Sequence, residues 1–131
     1  MKLHHLGYAV RDIEKSRNAF EGLGYLPLGG VCPDISRNVN ILFMQICDEA
    51  LIELISPLNS ALPSPVDNMI AKSKSQLYHL CYEVTDIHVA VAELDAGGWR
   101  LMDEIKPAPA ICSVYPRFRI STVIPTKILS E

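Results

Sequence analysis

Through residues 3–13, LHHLGYAVRDI, the apolar side chains Leu6, Tyr8 and Val10 fall on every second position, a period that predicts a strand. Asp12 then stands where a helix N-cap belongs, and Ile13, Ala19, Phe20 and Leu23 before Gly24 predict a helix with a weak apolar face. Residues 25–31, 39–46 (VNILFMQI) and 50–55 (ALIELI) read as three further strands, the last two joined by a short polar turn at 47–49. Residues 56–75 contain three prolines and read as a connector with a helical turn or two around 66–72.

The opening pattern returns 74 positions later as LYHLCYEVTDI, residues 77–87. His5 matches His79, Leu6 matches Leu80, and Tyr8, Val10, Asp12, Ile13 and Gly24 match Tyr82, Val84, Asp86, Ile87 and Gly98. A constant offset without a gap is the mark of an internal duplication. In the second copy Ile87, Ala90, Val91 and Leu94 form one helical face that ends at Gly97 and Gly98, and a strand is expected at 99–105. From Lys106 onward prolines interrupt what ought to be two paired strands. The expected organisation is a single domain over residues 1–131, with one half at 1–58, a connector at 59–75 and the other half at 76–131.

Composition narrows the class. Of 131 residues, 49% are hydrophobic and 21% charged, which suits one globular domain with one core. The formal charge is −3 with Lys and Arg scattered, so the electrostatic footprint of a nucleic-acid binder is missing. No signal-like or membrane-spanning apolar run stands out, and a cytoplasmic location is the expectation. The four cysteines, Cys32, Cys47, Cys81 and Cys112, form no CxxC pair and read as reduced packing thiols.

Two polar positions lie in apolar strands. A histidine recurs at one repeat position, 5 and 79, which a packing role explains poorly. Glu53 sits inside LIELI, where burial without a partner would cost several kcal/mol, so it needs a cation, a proton or solvent. The alternative is a strand with one wet face carrying Leu51, Glu53 and Ile55. Alternation turns His4 away from His5, and His88 falls on the polar side of its helix.

Two βαβββ units, each with a histidine in its first strand, resemble the vicinal oxygen chelate (glyoxalase, bleomycin resistance, dioxygenase) superfamily. HLGYAVRDIEKS near the start, IELISPL at 52–58 and YHLCYEVTDI at 78–87 are most similar to its methylmalonyl-CoA epimerase branch. The resemblance implies an α+β fold in which two modules curl a mixed sheet into a cup. It implies a divalent metal (Co, Mn, Ni or Zn) held by His5, Glu53 and His79, with Glu53 also a candidate catalytic group. It further implies an isomerase or lyase that stabilises an enolate of a small-molecule substrate such as an acyl-CoA, and a homodimer. Imidazole nitrogens with a carboxylate oxygen independently suit such a metal.

The chain departs from that pattern at its end. The offset puts the fourth ligand, a glutamate in the family, at Lys127, and an ammonium ligates no metal. The missing ligand then comes from elsewhere, such as Glu131, water or a partner chain, or Lys127 replaces the metal and pairs with Glu53. The second case leaves a small-molecule-binding module without chemistry, and a lactoylglutathione lyase-like enzyme is a further alternative. Extradiol dioxygenases, which depend on the last-strand glutamate, are disfavoured. No carboxylate base is evident beside Asn40 and Ile41, and Lys72, Lys74, Arg117 and Arg119 read as solubilising charges rather than phosphate contacts.

Overall fold

The computed structural model describes residues 1–49, 51–101 and 105. Lys127, Glu131, Cys112, Arg117, Arg119 and the strands expected after Lys106 lie outside the described residues. Within them the order is β1 (Lys2–Val10), α1 (Ile13–Glu21), β2 (Leu26–Asp34), β3 (Val39–Gln45), β4 (Leu51–Pro57), α2 (Asp67–Lys72), β5 (Ser75–Glu83) and α3 (Ile87–Ala96). The strands form one mixed sheet in the order β2-β3-β4-β1-β5, with β1 parallel to β4 and antiparallel to β5. The first half is thus a complete βαβββ unit, and the second repeats its opening strand and helix, in agreement with the expected α+β cup.

Local chemistry sets the element ends. Asp12 Oδ1 accepts from the Lys15 amide at 3.1 Å, and Asp86 Oδ1 accepts from the His88 and Val89 amides at 2.9 and 3.1 Å, so both copies start their helix with the same cap. Gly24 and Gly98 close the two helical segments with φ of 95° and 88°, a region that favours glycine. Strand β2 runs on to Asp34, further than the apolar pattern suggests, because a register shift between Leu28 and Cys32 around Gly29 lets pairing resume. The strand expected at 99–105 is not formed at Trp99, Arg100, Leu101 or Ile105.

Both faces of the sheet are apolar. Leu6, Tyr8 and Val10 face α1 and pack with Ile13, Leu42, Met44, Ile52 and Leu54. Phe20 bridges Tyr8 and Tyr25 edge to face, at 5.7 and 5.3 Å between ring centroids. Leu23, expected on that helical face, is 69% exposed, because it follows the last turn of α1 and no longer lies over the sheet. On the other face Ala9, Val39, Ile41, Phe43, Leu51 and Ile55 are covered by Val66 and by Met69 and Ile70 of α2. Each fully buried Val, Leu, Ile or Phe among them contributes about 1.5–3 kcal/mol of burial. Among the described residues no helix is long and apolar enough to cross a membrane.

Candidate metal centre

The centre grows from one row across four strands. Phe43 of β3 is in register with Glu53 of β4, Glu53 with Gly7 of β1, and Gly7 with His79 of β5. Gly7 carries no side chain, so Glu53 and His79 lean over it from either side and meet. His5, two residues back on the same face of β1, completes the group. Glu53 Oε2 lies 3.3 Å from His5 Nε2 and 3.2 Å from His79 Nε2, and the two Nε2 atoms are 3.0 Å apart. His5, Glu53 and His79, expected together from the resemblance, do converge.

All three are buried, at 0%, 4% and 6% exposure. Leu51 and Ile55 are buried on the same face, so the reading of β4 as a strand with a wet side is corrected: that face is covered by the 66–70 segment. Phe43 stands edge-on to His5 at 5.3 Å and walls the group on the β3 side. Burial pushes the Glu53 carboxyl up, but hydrogen bonds and charge from His5 and His79 outweigh it and hold the group at about 2, so Glu53 is an anion at neutral pH. Burial and then the Glu53 charge push the Cys81 thiol up to about 12 and raise Tyr78 above its ordinary value. Cys81 is therefore a neutral packing thiol, as expected. His88 is exposed, also as expected.

Three donor atoms in a triangle with edges of 3.0, 3.2 and 3.3 Å could hold a divalent cation. Ligands bonded at about 2.1 Å stand roughly 3.0 Å apart at right angles and roughly 3.4 Å apart at the tetrahedral angle. The three edges fall inside that window. Two imidazole nitrogens and one carboxylate oxygen suit Mn, Co, Ni or Zn better than Ca or Mg.

Two residues of the centre escape a reading of the sequence. Gly7 is indispensable to the geometry, and its only signal is a glycine inside an apolar strand, which marks a close approach of another group. His4, expected to face away, instead brings its Nδ1 to 2.8 Å from His5 Nδ1. The cause is a bulge: pairing steps from Leu3↔Tyr82 to His5↔Cys81, so His4 is an extra residue in β1 and strict alternation fails.

Comparison with known proteins agrees with this architecture. Residues 4–115 match the family model described as the Glyoxalase/Bleomycin resistance protein/Dioxygenase superfamily. The mitochondrial methylmalonyl-CoA epimerase of Bos taurus is 31% identical over 104 residues, covering 79% of this chain and 58% of that protein, so the chain spans well under two thirds of its relative's length. Among solved structures, a hypothetical protein from Bacillus halodurans superposes with a TM-score of 0.72 at 30% identity, covering 82% of this chain and 76% of that one. The methylmalonyl-CoA epimerase of Mycobacterium tuberculosis gives a TM-score of 0.72 at 22% identity, covering 83% and 73%. With the matched segment running through both copies of the repeat, the chain belongs to the glyoxalase/bleomycin resistance protein/dioxygenase superfamily.

Proposed function

We propose that the protein is a divalent-metal-dependent acyl-CoA epimerase in which His5, Glu53 and His79 hold the cation. The observation that carries this reading is the buried triangle of one carboxylate oxygen and two imidazole nitrogens, contributed by both halves of the duplication. The names of the epimerase relatives support a methylmalonyl-CoA-like thioester as substrate.

The cation would supply Lewis-acid stabilisation of the negative charge that develops on the thioester oxygen as the α-proton leaves. The anionic Glu53 would offset part of the metal's charge and, with the imidazoles of His5 and His79, would hold it. With Oε2 engaged on both sides, Glu53 fits the role of ligand better than that of base. Phe43, Leu51 and Ile55 exclude water around the group, which strengthens every electrostatic interaction within it.

The test is metal content by plasma mass spectrometry, joined to deuterium uptake at the α-carbon of methylmalonyl-CoA in heavy water. The expected result is about one transition metal per chain and α-proton exchange, both lost in the His5→Ala, His79→Ala double variant. Metal without exchange would keep the centre and overturn the epimerase. Absence of metal after titration with Mn²⁺, Co²⁺, Ni²⁺ and Zn²⁺ would overturn both.

A further inference from the structure

The strand pair that carries both histidines is bulged twice, and the two bulges are related by the repeat. Pairing steps from Leu3↔Tyr82 to His5↔Cys81, leaving His4 extra on β1, and from Gly7↔His79 to Tyr8↔Leu77, leaving Tyr78 extra on β5. His4 and Tyr78 are separated by the same 74 positions as His5 and His79. Each bulged residue turns its ring onto the histidine that follows it. The centroids are 5.1 Å apart at 78° for His4 and His5, and 5.2 Å apart at 76° for Tyr78 and His79.

The two copies differ in what the bulged ring offers. His4 brings a nitrogen to 2.8 Å from His5 Nδ1, whereas His79 Nδ1 is buried with no hydrogen-bond partner among the described residues. A histidine that binds a metal through Nε2 carries its proton on Nδ1, and an acceptor for that proton fixes the ring and raises its basicity.

We propose that His4 is a positioning residue for the metal centre: its Nδ1 accepts the Nδ1–H of His5 and so aims the His5 Nε2 lone pair at the point shared with Glu53 and His79. This rests on the reading of His5 as an Nε2 ligand. The bulge is the backbone device that makes it possible, since regular alternation would send the two rings to opposite faces.

The experiment compares the full chain with His4→Phe, which keeps a ring but removes the acceptor, and His4→Asn, whose Oδ1 restores one. Co²⁺ affinity is measured by competition with a chelating dye, and the His5 Nδ1–H is followed by ¹⁵N-histidine NMR of the Zn²⁺ form. His4→Phe is expected to weaken Co²⁺ binding by about 10- to 100-fold and to expose the Nδ1–H to fast solvent exchange. His4→Asn is expected to recover most of both. Unchanged affinity and an unchanged Nδ1–H signal in His4→Phe would overturn the proposal while leaving the metal centre standing. Failure of the unaltered chain to bind Co²⁺ or Zn²⁺ would overturn the centre and this role of His4 with it.

Discussion

Gly7 faces His79 across the β1–β5 pair, and a β-carbon on Gly7 would stand 2.3 Å from Cε1 of the His79 ring. That is far inside van der Waals contact, so any side chain there evicts the imidazole from its place beside Glu53. Gly7→Val is expected to weaken Co²⁺ binding by at least about 100-fold and to destabilise the fold by roughly 1–3 kcal/mol, the usual cost of overpacking. Calorimetric titration with Co²⁺, beside urea unfolding, measures the two effects. Wild-type affinity in the valine variant would mean that His79 does not need the vacant place.

Glu53 makes stability depend on pH in a defined direction. Its carboxyl is held at about 2 in the folded chain against an ordinary 4.5, so folding favours the anion. The stabilisation is full above the unfolded value and fades as pH falls from about 4.5 toward 2. Metal-free protein in chelator should therefore lose thermal stability across that window, and Glu53→Gln should flatten the slope. Melting curves at half-unit pH steps on both proteins test this.

Metal removal should lower the melting temperature, because a ligand bound only by the folded state stabilises it by mass action. At a free metal concentration of 100 times Kd the gain is about 2.7 kcal/mol, or on the order of 10 °C for a domain of this size. Scanning calorimetry before and after chelation measures it. The His5→Ala, His79→Ala variant should show no shift on adding Co²⁺.

Asn38 is the second buried polar knot. It takes φ of 53°, its Nδ2 donates to the carbonyls of Asn59, Leu62 and Pro63 at 3.0, 2.9 and 3.2 Å, and its Oδ1 accepts from the Asn59 amide at 3.0 Å. It ties the β2–β3 turn to the connector. Asn38→Ala is expected to cost about 2–4 kcal/mol, and Asn38→Gly about 1 kcal/mol less, since glycine relieves the left-handed backbone. Urea unfolding gives the order, and Co²⁺ affinity should stay put in both variants, distant as they are from the triangle.

Much of this was legible in the chain because it is local or repeated. The alternation of Leu6, Tyr8 and Val10, the caps at Asp12 and Asp86, and the glycines at 24 and 98 are each decided by a few neighbouring residues. The recurrence of His5 as His79 is legible in the offset and the need of Glu53 for a partner in the cost of a carboxylate within LIELI, while their union in one ligand set is implied by the family resemblance. What stayed hidden depends on register between distant strands. Gly7 matters only because Glu53 and His79 flank it, and His4 meets His5 only because β1 bulges against β5. Neither relation is written within a single strand.

The offset has a last consequence, for the order of events as the chain folds. Residue i of β1 pairs with residue 86 − i of β5 between His5 and Gly7, and the repeat carries i to i + 74, so Leu6 and Leu80 face each other across a local two-fold axis. The strand and its own copy therefore meet as two identical subunits would, except that a tether joins them. On a ribosome, Glu53 can find His5 once the first half has emerged, but the third donor arrives only with residue 79. A metal held by these three donors would thus act as a late-closing latch across the seam, and metal uptake timed against chain length would report the moment the two strand copies come together.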